Sequence, residues 1–272
     1  MTNFEGKTVL VTGAASGMGL EESAYLAKRG ATVWMTDIAQ TELFKAAEFV
    51  RKSYPNSSAM ISTALLDVSS PNSWADIAEK ILATSGRLDG LVNNAGRTLR
   101  SSLIDTTDEE WRSVIDTNLS SVFYGLKYCY PLLELSDMGA VVNVSSTAGL
   151  MAHTGPAYGT SKWGVRGLSQ SAALEFSEAG IRVNSIHPGL VSSPLLNSGS
   201  GEFVDESLKA VPMGRIAEPQ EIAEVVGFLL SPKASYITGT EIVIDGGLNS
   251  GGTYKQISDR LNTASFEGEE GK

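Results

Sequence analysis

The sequence contains a single cysteine, Cys129, in 272 residues. That excludes an internal disulfide and any zinc site built on paired cysteines. Its two histidines, His153 and His187, add too few further ligands for most metal cages, so no metal is expected. Positive charge is also scarce. Lys and Arg number 21 against 31 Asp and Glu, a net charge of −10. Such a surface repels phosphate, which argues against nucleic acid or an anionic membrane as the main partner. No apolar run approaches the roughly 20 residues of a membrane-spanning helix. The start, MTNFEGKTVL, has no charged segment leading into a long apolar one, so a secretory leader is not expected. The expectation is a soluble cytoplasmic protein with a small-molecule substrate.

What is present is an ordinary globular mix, 42% hydrophobic and 19% charged. Strand-like and helix-like stretches alternate along it. KTVLVTG (7–13), TVWMTD (32–37), a stretch near 60–66, LDGLVNNAG (88–96), AVVNVSS (140–146), IRVNSIHPG (181–189) and EIVIDGG (241–247) read as seven strands. Helices are expected at 18–29, 40–53, 72–85, 108–134, 158–179 and 219–230. Thr107 is the expected N-cap of the fourth of these, with Glu110 three residues on. This alternation predicts one α/β domain over 1–248, a doubly wound parallel seven-stranded sheet with helices on both faces. Residues 190–212 predict a mobile loop with one short helix. Residues 249–272 predict a polar surface tail or partner-contacting arm.

Two stretches carry chemistry. In VTGAASGMG (11–19), Gly13, Gly17 and Gly19 stand where the first strand turns into the first helix. Glycines there let the backbone approach a phosphate, and the helix start favours an anion. The spacing G-x-x-x-G-x-G departs from the usual dinucleotide pattern, so position after a first strand carries the reading. Asp37 ends the second strand, 24 residues beyond Gly13. A carboxylate there accepts hydrogen bonds from an adenosine ribose and repels a 2′-phosphate, which favours NAD(H) over NADP(H). Asp67-Val68 brackets the adenine or, equally, caps a helix.

The second stretch is YGTSK (158–162), preceded by NVSSTAG (143–149). Tyr158 and Lys162, four apart, share a helix face. A free tyrosine has a pKa of about 10; lowering it by about 3 units takes roughly 4 kcal/mol of differential stabilisation. Lys162 together with a cationic nicotinamide ring can supply that in a desolvated cleft. A phenol so tuned exchanges a proton with a carbonyl or alcohol oxygen. A serine hydroxyl ending the preceding strand can hold the same oxygen. A Tyr-x-x-x-Lys pair alone occurs on many solvated helices; the glycine turn, Asp37 and the serine make the set specific.

With these residues, the chain resembles the short-chain dehydrogenase/reductase family. The resemblance rests on TGAASGMG (12–19), NNAG (93–96), Asn118 in DTNLSSVF, NVSS (143–146), YGTSK (158–162) and HPGLVSSP (187–194). It implies a Rossmann-type sheet in the order 3-2-1-4-5-6-7 and hydride transfer between a nicotinamide and a secondary alcohol or ketone. It implies Tyr158 as acid/base, Lys162 as the residue that tunes it and binds the nicotinamide ribose, Ser146 as the holder of the substrate oxygen and Asn118 as the residue placing a relay water. Gly13, Ser16, Gly17, Met18, Gly19, Asp37, Ile38, Asp67, Val68, Asn93, Asn94, Ala95 and Gly96 are then expected at the cofactor, with Pro188, Gly189, Val191 and Ser193 toward the nicotinamide. Within the serine pair, the family pattern selects Ser146, three before Gly149, whereas the commoner spacing to the tyrosine selects Ser145. Only one of the two can face the site, and Ser146 is preferred.

The substrate side is expected from Arg97, Leu150, Met151, His153, Leu195 and Leu196, with Phe203 adding to an apolar pocket and SGSG (198–201) able to hinge a lid. General likeness points to ring or hydroxysteroid-like secondary alcohols. Gly159, Gly164 and Gly167 leave one side of the Tyr158 helix flat. With the family likeness this suggests a homotetramer, and packing within one subunit is the alternative. A nucleotide-binding sensor or scaffold, and a lyase or epimerase on the same scaffold, are the competing functions.

Overall fold

The computed structural model describes residues 3–54 and 59–269, with backbone alone over 263–269. Seven strands form one parallel sheet: β1 (Thr8–Thr12), β2 (Thr32–Asp37), β3 (Ile61–Leu65), β4 (Gly90–Asn93), β5 (Ala140–Val144), β6 (Arg182–Pro188) and β7 (Glu241–Ile244). Their order is β3-β2-β1-β4-β5-β6-β7. The order reverses between β1 and β4, and in open parallel sheets a crevice opens at such a point beyond the strand ends.

The helices are α1 (Gly17–Ala27), α2 (Gln40–Ser53), α3 (Pro71–Ser85), α4 (Asp108–Ile115), α5 (Ser121–Leu133), α6 (Pro156–Phe176), α7 (Pro194–Asn197), α8 (Gly201–Lys209), α9 (Pro219–Leu230) and α10 (Leu248–Glu269). Alternation along the strands splits the core in two. Val9, Val11, Val33 and Met35 pack with α1, α2 and α9 on one face. Leu10, Trp34 and Leu91 pack with α3, α5 and α6 on the other. Both faces are covered, which is why these strands read as nearly unbroken apolar runs.

Four sequence expectations change. The single helix over 108–134 is divided by a π-helical turn, Asp116–Ser120. The cap is as anticipated: Thr107 Oγ1 accepts from the Glu110 N–H at 3.2 Å, and Glu110 returns an acceptor to the Thr107 N–H at 3.0 Å. The catalytic-motif helix starts at Pro156, two residues early, and ends at Phe176 ahead of a 3-10 turn, Ser177–Ala179. The span 190–212 holds two helices, α7 and α8, each capped by a serine: Ser193 accepts from Leu196 N and Ser200 from Phe203 N. The tail after 248 is helix α10. Asp245 nucleates it, accepting from Gly247 N at 2.9 Å and Asn249 N at 2.6 Å. Gly252 seats it, since a Cβ there would lie 2.8 Å from the Ala210 carbonyl oxygen. The Gly-Gly pair before it disguised this cap in the sequence. Residues 270–272 lie outside the described residues.

Close approach explains two interior glycines. Gly164 abuts Leu119, whose Cδ2 would lie 2.6 Å from an added Cβ. Its flatness therefore serves packing within the subunit, while Gly167 has nothing within 4 Å. At Gly125 a Cβ would lie 2.4 Å from Asn93 Oδ1 and 2.9 Å from Trp74 Cη2. Overpacking of this kind costs about 2 kcal/mol. Gly125→Ala is therefore expected to lower the melting temperature by about 5 °C in a thermal unfolding scan.

Candidate active site

The turn from β1 to α1 forms one wall of the crevice. Gly13 takes φ +66° and Gly17 φ +56°, conformations that suit glycine. An added Cβ at Gly13 would sit 2.9 Å from Ala95 Cα, so the first turn rests directly on the turn after β4. Thr12 locks them together. Its Oγ1 accepts from the N–H groups of Asn94 and Ala95, both at 3.0 Å. Asn94 Nδ2 donates to the Thr12 carbonyl at 2.9 Å. Gly19 is buried beneath this turn, its Cβ position 2.3 Å from the Gly13 carbonyl oxygen. It acts through packing and does not reach the cleft.

A cleft of about 700 Å³ runs along these elements. Ser16, Gly17 and Met18 line one stretch, Asp37, Ile38, Asp67 and Val68 the far end, and Asn94–Gly96 the floor. Tyr158, Lys162 and Ser193 close it. Asp37 is fixed at the end of β2 by the Ala15 N–H at 3.2 Å and the Ala39 N–H at 2.9 Å. Asp67 also accepts from Ser69 N and Oγ, so it forms a local turn as well as lining the cleft. Asn93 does not line it. It is buried in β4 and donates to Asn143 Oδ1 at 2.8 Å, because strand alternation turns it into the sheet.

A second cavity of about 570 Å³ adjoins the first. The two share Met18, Thr98, Ser145, Tyr158, Ser193 and Leu195, so they meet at Tyr158. Ser146, Met151, His153, Leu196 and Phe203 line the second cavity. Pro188, Gly189 and Val191 also belong to its wall. Two expected substrate residues fall elsewhere. Leu150 lines neither space, and Arg97 lines the first cleft, where it donates to Ser113 Oγ. The loop after β5 turns once in a 3-10 helix, Thr147–Gly149, which swings Leu150 aside.

The two serines of the pair differ in their surroundings, although both border the cavities. Ser145 is buried and its Oγ donates to the Lys162 carbonyl at 2.8 Å. Ser146 lines the second cavity and lies close enough to the Tyr158 phenol to pull its pKa down. His187, fully buried, braces Ser146 from behind: Nδ1 lies 3.1 Å from the Ser146 carbonyl oxygen and Nε2 3.1 Å from Ser185 Oγ. Burial lowers the His187 pKa, so it acts as a neutral strut. His153 is a wall residue, its ring 5.1 Å from that of Tyr158. Its Nδ1 accepts from Gly155 N at 2.9 Å.

Lys162 reaches under the tyrosine. Its Nζ donates to the Val144 carbonyl at 2.9 Å and lies 5.8 Å from the centre of the Tyr158 ring. Burial pushes its pKa down to about 8. In the protein alone the Tyr158 pKa stands above the ordinary tyrosine value, so the expected lowering is not reached without a bound cofactor. Burial raises the phenol, outweighing the opposing pull of the Ser146 hydroxyl and the Arg100 charge. Asn118 is buried in the π-helical turn. Its Oδ1 accepts from Arg97 N at 2.8 Å; its Nδ2 donates to the Arg97 carbonyl at 2.9 Å and to Ser161 Oγ at 3.1 Å. Both amide hydrogens are thus spent on holding the loop after β4 against α6. Ser161 and Thr12, which organise the site from beneath, lie inside YGTSK and TGAASGMG, but the sequence assigned them no role there. Arg100, Leu248 and Gln256 also line the second cavity. Arg100 stands three residues past Arg97, the substrate residue expected from that loop.

No group of three or more His, Cys, Asp or Glu able to hold a metal occurs among the described residues. Nor does any described helix have the length and apolarity to cross a membrane.

A family model described as enoyl-(acyl carrier protein) reductase matches residues 13–249. The chain belongs to the short-chain dehydrogenase/reductase family. A cyclopentanol dehydrogenase of Comamonas sp. (strain NCIMB 9872) is 37% identical over 250 residues, covering 91% of this chain and 98% of that protein. A trans-4-hydroxycyclohexanecarboxylate dehydrogenase of Sinomonas cyclohexanicum is 37% identical over 257 residues, covering 92% and 95%. Among solved structures, a levodione reductase superposes with a TM-score of 0.87 at 32% identity, covering 91% of this chain and 99% of that one. As a short-chain dehydrogenase/reductase, the protein is an oxidoreductase of the alcohol dehydrogenase and ketone reductase type. Enzymes of this family use a nicotinamide cofactor. The first cleft fits one: its volume suits a dinucleotide, and Gly17 leaves its wall open where a Cβ would point at Ser193 from 3.4 Å.

Proposed function

We propose that the protein interconverts ring secondary alcohols and their ketones with NAD(H), using Tyr158 as the general acid/base. One observation carries this reading: Tyr158 stands where the cofactor-sized cleft meets the apolar cavity, beside Ser146, with Lys162 beneath it. The bound nicotinamide supplies a hydride acceptor or donor at the junction. In the oxidation direction the Tyr158 phenolate takes the hydroxyl proton, and Ser146 holds the same oxygen. The charge of Lys162 favours the phenolate, and the cationic ring of oxidised cofactor adds to it. Asn118 acts as a positioning residue, fixing the floor of the cleft through Arg97. Ser193 lines both spaces and Pro188, Gly189 and Val191 the second, and these residues would hold the carboxamide end of a bound cofactor.

The curated relatives support a ring alcohol. One is named for a neutral ring alcohol and one for a ring alcohol bearing a carboxylate, at equal identity. The apolar side chains of Met151, Leu195, Leu196 and Phe203 agree with a carbocyclic substrate. Exposed Trp111, Phe123, Trp163 and Leu174 on α4, α5 and α6 support a homotetramer assembled partly through these helices.

The preference for NAD rests on Asp37, whose carboxylate lies at the adenosine end of the cleft. Asp37→Ser is expected to shift the ratio of kcat/KM for NAD over NADP toward NADP by at least about tenfold, the size of one charge-assisted contact. Steady-state kinetics with both cofactors reads this directly; an unchanged ratio sinks the assignment. A turnover screen by NADH absorbance over ring, linear, steroidal and polyol alcohols tests the whole reading. NADH bound tightly but formed from none of them would count against it.

A further inference from the structure

We propose that Arg100 is a specificity-determining residue that binds a carboxylate on the substrate, so that the preferred alcohols carry a negative charge away from the reacting carbon. The proposal rests on the dehydrogenase reading above. Arg100 lines the second cavity together with Tyr158, Ser146, Met151 and Phe203. It is the cation of an otherwise largely apolar space, and its charge is felt at both Tyr158 and His153.

Its partners are all neutral. Nη1 donates to Ser198 Oγ at 3.2 Å and Nη2 to the Leu195 carbonyl at 3.4 Å. Its Cζ lies 5.3 Å from the centre of the Phe203 ring. Elsewhere in the chain, Arg87, Arg166 and Arg215 each hold a carboxylate. Arg100 has no ion pair among the described residues, in a protein of net charge −10. The acidic residue on the same wall, Glu206, is paired with Lys209 instead.

The guanidinium of this exposed residue lies along Gly199, where a Cβ would stand 3.3 Å from Nη2 and 3.4 Å from Cζ. A guanidinium has five N–H donors in a planar fork. Two of them are spent on Ser198 and Leu195, and the rest remain for an acceptor. A fork of this kind, fixed beside apolar walls, suits a carboxylate, because charge-assisted paired hydrogen bonds are strong and geometrically selective. A neutral ring alcohol would leave it unanswered.

The test uses the full chain with hydroxycyclohexanecarboxylates, the two groups on adjacent-but-one or opposite ring carbons, and their methyl esters. Each ester keeps the shape and removes the charge. Wild type is expected to favour at least one acid over its ester by about tenfold or more in kcat/KM. Arg100→Gln is expected to bring that ratio to about one, acid and ester being compared within the same variant so that any change at Tyr158 cancels, with KM for NAD within about threefold of wild type. Arg100→Lys, keeping charge without the fork, is expected to fall between them. A preference for the esters, a ratio unmoved by Arg100→Gln, or a loss confined to NAD binding overturns the proposal. Calorimetric titration of the NADH-loaded protein with cyclohexanecarboxylate separates it from the dehydrogenase reading. If neither acid nor ester is turned over, binding that Arg100→Gln abolishes keeps the anion site and discards the proposed substrates. Absence of binding to wild type overturns the site itself.

Discussion

Tyr158→Phe is expected to lower kcat by about a thousandfold, the usual worth of a positioned acid/base, while leaving NADH affinity within about twofold. The substitution removes one hydroxyl from a side chain packed between two cavities. The ring survives, so the wall of the cofactor cleft survives with it. What is lost is the group that exchanges a proton with the substrate oxygen, and the neighbour of Ser146. A thousandfold loss corresponds to about 4 kcal/mol at the transition state. Stability is not expected to account for it, because burial already penalises the ionised phenol in the protein alone. The measurement pairs single-turnover kinetics with a fluorescence titration of NADH. Full activity in the variant would remove Tyr158 from the chemistry. Joint loss of turnover and NADH binding would instead mark it as a wall residue.

The second large effect lies in the core, away from the chemistry. Glu22 is fully buried on α1, and neither carboxylate oxygen has a hydrogen-bond partner. Burial raises its pKa from 4.5 to about 8. The folded protein therefore holds this proton more tightly than the unfolded chain. Its stability is whole below about pH 4.5 and is lost as pH rises toward 8. Over that window the loss amounts to about 5 kcal/mol, since each pH unit is worth about 1.4 kcal/mol. Glu22→Gln copies the neutral acid and cannot ionise. At pH 9 the variant is expected to melt about 10 °C above wild type, with the gap nearly closed at pH 5. Melting curves across that range check it. A gap that does not change with pH would show that Glu22 is ionised and paired in the folded state.

The sheet was legible because burial on both faces leaves each strand as an apolar run, and the turns between runs are marked by glycine, proline and capping residues. Tyr158 and Lys162 could be paired on paper because four residues is about one helical turn. The glycine turn and Asp37 were legible for the same reason, being fixed by their distance along one strand and one turn. The π-helical turn at Asn118 was not, since nothing in DTNLSSVF breaks the helical period; it arises where Asn118 must bond both Arg97 backbone groups. Helix α10 hid behind Gly246 and Gly247, although Asp245 caps it.

By itself the sequence determined the alternation of strands and helices, the glycine turn and the Tyr158–Lys162 pair on one helix face, because each depends on spacing within one element. Only the tertiary structure decided that the Ser145 hydroxyl turns to the Lys162 carbonyl while Ser146 lines the second cavity, that Asn93 and Gly19 are buried away from the first cleft, and that Arg100 and α10 border the second cavity. Those outcomes depend on which faces of distant segments are pressed together, and that is set by packing across the sheet rather than by local period.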